Sequence, residues 1–585
     1  MDREDILMKN IIGAFIHRFA CANLTHIIWC IAILACLLCL AILHHVWRDD
    51  PKKLGRWRLL CLVPIVAAAV HAVRYVLPAP DLAGNYLLLH VIALAVVLPC
   101  ILAKRRIGYR IAAVLSGIVA VFFGVVFCGL SPHIYVHKDL SYTDSFRAMV
   151  RDMDRTYILK EWKDVDFAAL EAQYLPMVQE AEDAQDPAKF ADAVRMFCNE
   201  LHDGHVVVQT KYDKTQYRSA FAYREYGFSM VQLDDGDVIA VCTTDEAHAA
   251  GIEDGTVITH WNGKPIAQAL QEDVPDLGYP VKANAERLAA IDLAATGGET
   301  LEVTFLDAAG KAQTATLTDL GDPHTQQEAR AIFAHAPVLD EEEMFDHIME
   351  ENFSARMLDA HCGYLRLSVE TTGDGVYDTL IGYVTGNQGK AREIFRERLR
   401  ELREQGMDRL VIDLRTNWGG YDEIGTALCD LLTEEAYYGQ GLGVRTNGQY
   451  RCVSDHGVYG DGEFADLPVV ALTNFDCVSA GDGTSLYLSH LPNVTLAGIT
   501  DPCGCNQETG GGCVLSDEIV TVGYPVGLIL DADGVPNVDT RADRISRNPV
   551  EVRIPFDRDA AMQMFHDGED YELDWAMQYL AEQAD

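Results

Sequence analysis

Lysine is missing from the last third of the chain; none follows Lys390. A nucleophile in that part must draw its base from elsewhere in the fold, or use a residue other than a downstream lysine. Positive charge is scarce throughout. Lysine and arginine number 47 against 87 aspartates and glutamates, a formal net charge of -40. Such a surface repels a phosphate backbone, so nucleic acid is excluded as a partner. The 16 cysteines are scattered rather than dense, which excludes a disulfide framework holding up the whole fold. No repeat of solenoid length is detectable.

Apolar residues are abundant near the start. Four apolar segments, about 24–47, 59–77, 86–103 and 111–130, approach the roughly 20 residues that a bilayer-spanning helix needs. A cleaved signal peptide would have one short apolar core and then stop. The connectors Arg48–Arg58 and Lys104–Arg110 are basic, whereas the stretch PAPDLAG has no lysine or arginine. Basic loops stay in the cytoplasm. The expectation is an α-helical bundle of four spans in the cell membrane, integral to the lipid, with everything after Leu130 on the extracytoplasmic side. Residues 1–23 read as an interfacial amphipathic segment. Arg74, near a helix end, reads as a side chain that snorkels to the interface.

The remainder divides into three. Residues 132–220 read as helical, with apolar residues at helix spacing from Phe146 to Tyr157 and a second helix from about Pro187 to Leu201. Residues 221–321 alternate short strands and turns, with Asn262-Gly263 as a hairpin signal. Residues 322–585 alternate strands such as RLVIDLR and PVVALTN with helices, which suggests a mainly parallel sheet covered on both faces.

Ser479 follows the strand PVVALTN, at a strand-to-helix turn. Backbone N–H groups are unpaired at a helix start. They suit an oxyanion, and so does TNWGG, where Gly419 and Gly420 permit close backbone approach. With Ala480 they form the candidate oxyanion hole. Taken alone, the stretch favours the plainer reading that Ser479 caps a helix. The cluster PCGCNQETGGGC, with Cys503, Cys505 and Cys513, lacks a fourth zinc ligand, and a loop disulfide or free thiols is the expectation. DADGVPNVD lacks the last glutamate of a calcium loop and reads as a hairpin turn. No metal and no cofactor is expected.

LHDGHVVV, CGYLRL, LVIDLRTNWGG, CVSAGDGTSL and LAGITDPCG together resemble the C-terminal processing peptidases, or tail-specific proteases, and their relatives in the tricorn core. The resemblance implies a PDZ-like α+β domain at 221–321 and an α/β crotonase-like (ClpP-type) serine-peptidase core at 322–585. It places the nucleophile at Ser479. Cys477, Val478 and Asp482 depart from the family's serine, alanine and glutamate. One branch of that family uses a lysine about two dozen residues downstream, and here that window holds none. The tricorn-like branch uses a histidine, which His205 matches. A neutral imidazole suits general-base work. His202, about one turn earlier, is the rival, and His490 lies too far along its helix. The tricorn-like serine beside the histidine is replaced by Gly204. Asp203, Asp543 and Glu551 are the candidates for an orienting acid.

The family's carboxylate-binding loop falls on Tyr226, Gly227, Phe228 and Ser229, which implies a protein or peptide substrate held by its C-terminus. The expected activity is a membrane-anchored serine endopeptidase of Ser–His type. The other reading is an inactive peptide-binding membrane protein or sensor. The sequence does not give the oligomeric state.

Overall fold

The computed structural model describes residues 133–210, 224–373 and 389–584, apart from short gaps, together with two short helices and isolated residues before position 74. The four-span bundle is corrected here. Among the described residues no helix is long and apolar enough to cross a membrane. Where basic connector and second span were expected, the chain forms two ten-residue helices, Pro51–Leu60 and Leu62–His71. The first also carries Lys52, Lys53, Arg56 and Arg58. The extracytoplasmic placement rested on those spans and falls with them. The segments 86–103 and 111–130, and Arg74, lie outside the described residues.

The centre of the molecule is a six-stranded sheet. Its strands in chain order are β1 (Ala355–Met357), β2 (Cys362–Arg366), β3 (Arg409–Asp413), β4 (Val469–Leu472), β5 (Val494–Gly498) and β6 (Val552–Arg553), lying side by side in that same order. All pairs are parallel except β1 on β2. Strand β4 is buried along its whole length, because helices cover both faces. One face packs on Phe395, Leu399, Leu428 and Leu488, and the other on Phe333, Ile554 and Ala576. Each such side chain contributes about 1.5–3 kcal/mol by leaving water.

The helical N-terminal part does not stand alone. Helices Tyr142–Thr156 and Pro187–Asn199 share one core with Val520, Val522 and Leu528 from the far end of the chain. A second sheet records the same closure. His133–Val136 pairs with Gly511–Val514, and Val207–Thr210 with Val520–Tyr524. The first helix is capped by Ser141, whose Oγ accepts from the Asp144 N–H. Helix Phe167–Ala184, capped by Asp166, has no counterpart in the sequence reading.

In the β-rich part, Ser229–Gln232 pairs with Val238–Val241, and Ile258–Trp261 joins Thr300–Leu306 and Ala312–Thr318. Asn262 and Gly263 take φ of 48° and 76°, as a two-residue hairpin turn of type I′ requires. Helix α1 (Lys282–Ala294) lies between this part and the central sheet. Its Asn284 bonds the carbonyls of Asp501 and Pro502 and accepts from the Asp501 N–H.

Helices α2 (Asp422–Leu432) and α3 (Ala480–Ser489) pack side by side behind the strand ends. Gly425 makes that approach possible, since a Cβ there would sit 1.6 Å from Thr484 Oγ1. Thr484 in turn donates to Glu370, whose other carboxylate oxygen accepts the Gly425 N–H. Gly425→Ala is expected to destabilise the protein by about 1–3 kcal/mol or more, read as a lower denaturant midpoint at unchanged m-value.

Candidate active site

The ends of β3 and β4 are drawn together by side-chain amides. Asn474 Oδ1 accepts the Thr416 N–H at 3.0 Å, and the Val478 N–H bonds the Asn417 carbonyl at 2.8 Å. These bonds force the chain after β4 through a tight turn, and Ser479 sits at its apex with φ 57° and ψ -128°. A side chain other than glycine is strained there, and such strain gathers at functional sites. Ser479 occupies the N-cap position of α3, yet its side chain makes no cap hydrogen bond. The plainer reading of this serine as a cap therefore loses its physical basis.

Gly419 and Gly420 press against this turn. A Cβ on Gly419 would lie 2.5 Å from Ser479 Cβ and 2.8 Å from the Ala480 nitrogen. Gly419 has φ of 73° and Gly420 of 142°, both in the region that favours glycine. The Glu370 N–H bonds the Gly419 carbonyl and the Tyr421 N–H bonds the Glu370 carbonyl, which fastens the glycines to the strand side. The Gly419 N–H is already given to Asn417 Oδ1 at 2.8 Å. Among the described residues the N–H groups of Gly420 and Ala480 donate to no protein acceptor. Gly419→Ala is expected to displace Ser479 and to abolish its reaction with a fluorophosphonate, read by in-gel fluorescence.

His205 is buried in the turn that leads into strand Val207–Thr210. Its Nδ1 has no hydrogen-bond partner among the described residues. Burial pulls the imidazole down, but the neighbouring Cys505, Asp203 and Asp482 carry it above its ordinary value. Asp203 bonds the His205 backbone N–H at 2.9 Å, the Tyr157 hydroxyl at 2.6 Å and Gln507 Nε2 at 2.6 Å. It shapes the turn rather than the ring. Asp543 and Glu551 are exposed, and neither is brought to His205. His202 faces the other way, with Nε2 2.7 Å from Asp276 Oδ2. His490 stacks on Tyr437.

Cys503, Cys505 and Cys513 are free thiols, the second of the two forms expected for this cluster. Cys513 is separated from the others, in strand Gly511–Val514. Cys503 and Cys505 line the site itself. A Cβ on Gly204 would lie 2.8 Å from Cys503 Sγ and 2.9 Å from Cys505 Sγ. Asp482, where the resembled family has glutamate, accepts the N–H groups of Gly504 and Cys505 at 2.7 and 2.8 Å. Sequence reasoning missed these roles. The one signal was that PCGC falls in the window scanned for lysine.

The loop at 226–229 is filled from within. Tyr226, Phe228 and Ser229 are buried, and the two rings meet Trp261 edge-on. The Gly227 N–H already donates to Glu225 Oε1 at 2.6 Å. That carboxylate also accepts from the Thr325 N–H and hydroxyl. The stretch Asp531–Asp539 forms a turn on Asp531, whose Oδ1 accepts from Asp533 and Val535 N–H groups.

A strand-end serine beside two glycines, with a buried histidine in the turn opposite, is the arrangement of a hydrolytic site. Residues 380–507 match the family model described as peptidase family S41. The matched segment holds Gly419, Gly420 and Ser479, and the enzyme class it supports is a serine-type peptidase, a hydrolase. No curated protein matches the chain in sequence. Among solved structures it is similar to mature CPAF, at 12% identity and a TM-score of 0.50, over 75% of this chain and 95% of that one. It is also similar to the photosystem II D1 C-terminal processing protease, at 18% identity and a TM-score of 0.33, over 74% and 99%. The tricorn protease matches at 14% identity and 0.32, over 76% of this chain and 37% of that one. At these identities the likeness speaks to the fold alone.

Proposed function

We propose that this chain is an endopeptidase that cleaves polypeptides by acyl transfer, with Ser479 as nucleophile and His205 as general base. Ser479 Oγ adds to the scissile carbonyl and its proton passes to the imidazole. The oxyanion is held by the N–H groups of Ala480 and Gly420. The imidazole then returns the proton to the leaving amine, and water releases the acyl group. The observation that carries this reading is the strained Ser479 turn, whose hydroxyl caps nothing. Proteins and peptides are the proposed substrates. Capture of a substrate C-terminus by residues 226–229 draws no support from a loop that Glu225 already fills.

The test is labelling of the full chain with a fluorophosphonate, followed by mass spectrometry of the modified peptide. A single adduct on Ser479, absent in Ser479→Ala, is the expected result. A folded protein that binds peptides, cuts none and takes up no probe would favour the inactive peptide-binding reading instead.

A further inference from the structure

The second sheet, which joins the two ends of the described chain, brings three metal-ligating side chains to one point. In the parallel pairing of His133–Val136 with Gly511–Val514, Tyr135 stands opposite Cys513. His137 is two residues beyond Tyr135, and its N–H continues the ladder by bonding the Val514 carbonyl at 2.7 Å. Side chains two apart along a strand share a face. His137 and Cys513 are therefore turned the same way, toward helix Tyr142–Thr156, which packs on this sheet. Asp152 stands on the buried side of that helix. His137 Nε2 lies 2.7 Å from Asp152 Oδ2. With the Cys513 sulfur they form a trio whose ligand atoms all lie within 4.8 Å of one another.

The interface around them is otherwise apolar, built from Met149, Met153, Val520 and Val522. Cys513 is fully buried, and the Asp152 and His137 side chains are only 6% and 18% exposed. Polar groups in such a place need fixed partners. Arg155 takes Asp152 Oδ1 and leaves Oδ2 to the trio. An ion pair of His137 with Asp152 accounts for two of the three groups. It gives no reason for a sulfur within donor reach of both. One imidazole nitrogen, one carboxylate oxygen and one sulfur are together the donor set of a zinc-class ion. Donors on a tetrahedral zinc stand about 3.3–3.6 Å apart, given bonds of about 2.0–2.3 Å. The ring and carboxylate would part by a fraction of an ångström, and the sulfur would close on them. His137, the most exposed of the three, marks the side from which an ion enters.

We propose that His137, Asp152 and Cys513 form a site for one zinc-class divalent cation, with water in the fourth position. Binding replaces the hydrogen bond between ring and carboxylate by two bonds to the metal, and the sulfur supplies the third. The proton on Nε2 moves to Nδ1 and the thiol proton goes to solvent, so that the ligands are a neutral imidazole, a carboxylate and a thiolate. The ion would tie the first strand and first helix of the 133–210 part to the strand Gly511–Val514. The proposal does not depend on the Ser479–His205 reading, because none of its groups belongs to that site.

The full chain, stripped by a chelator and kept in a thiol-free reductant, would be titrated with zinc against a chromophoric competitor, and separately with cobalt. The wild type is expected to take up zinc tightly and to show a sulfur-to-cobalt charge-transfer band in the near ultraviolet. His137→Ala and Cys513→Ser are each expected to weaken zinc by about a hundredfold or more, and Cys513→Ser to lose the band. Cys503→Ser is expected to keep both. Zinc is expected to raise the thermal midpoint of the wild type and to leave that of His137→Ala unmoved. A wild type that takes up no zinc would overturn the proposal. So would uptake unchanged in His137→Ala, or uptake abolished by Cys503→Ser, which would put the metal on the 503–505 loop. His137→Ala decides the matter even if Cys513→Ser does not fold, because its side chain is the least buried of the three.

Discussion

His205→Ala is expected to lower peptide hydrolysis by about 10²–10⁴-fold while leaving the fold intact. The turn stays held in the variant, because Asp203 Oδ1 accepts the backbone N–H of residue 205, which alanine keeps. The wild-type rate carries its own signature. The base must be neutral, and Cys505, Asp203 and Asp482 hold His205 above its ordinary value of 6.5 against the effect of burial. The rate is therefore expected to rise with pH through a midpoint above 6.5, and the residual rate of His205→Ala to lose that limb. Initial rates on a quenched peptide across pH would check both. A wild-type limb centred below 6.5 would contradict the electrostatics described for the site.

The second large effect concerns stability. Burial pushes the Asp476 carboxyl up to about 6, and those of Asp482 and Asp539 up to about 7. All three approach Cys505, whose charge adds to the rise. A carboxyl whose folded value is raised binds a proton that the unfolded chain has already lost. Its stabilisation is complete below the unfolded value of 3.8 and is lost as pH rises toward 6 or 7. Each raised unit corresponds to about 1.4 kcal/mol, so the three carboxyls together contribute several kcal/mol less at pH 8 than at about pH 5, a fall that the lowered Cys505 thiol offsets in part. Thermal unfolding across that range would show the midpoint falling. Asp482→Asn, which keeps an acceptor for the Gly504 and Cys505 N–H groups, is expected to flatten the fall.

Much of the core was legible because its signals are local. Alternation of RLVIDLR and PVVALTN with helical stretches gives a parallel sheet, since continuous apolar runs have no polar face to show to water. Asn262-Gly263 marked its turn for the same reason, as few other pairs tolerate two positive φ angles. The membrane spans rested on hydropathy alone, and among the described residues no helix is long and apolar enough to cross a membrane. The place of Cys505 was hidden for a different reason. Its sulfur packs on Gly204, and only the folded chain brings these distant segments together.

The second sheet has a consequence for the order in which the enzyme comes into being. Strand Val207–Thr210, which begins two residues after His205, pairs among the described residues with Val520–Tyr524. Pairing across that separation closes a very long loop, which is slow and late in folding. During synthesis the histidine turn thus has no sheet to dock on until the chain is nearly complete. Ser479 can leave the ribosome well before its base is seated. On the Ser479–His205 proposal, a chain truncated before residue 520 is expected to cut no peptide.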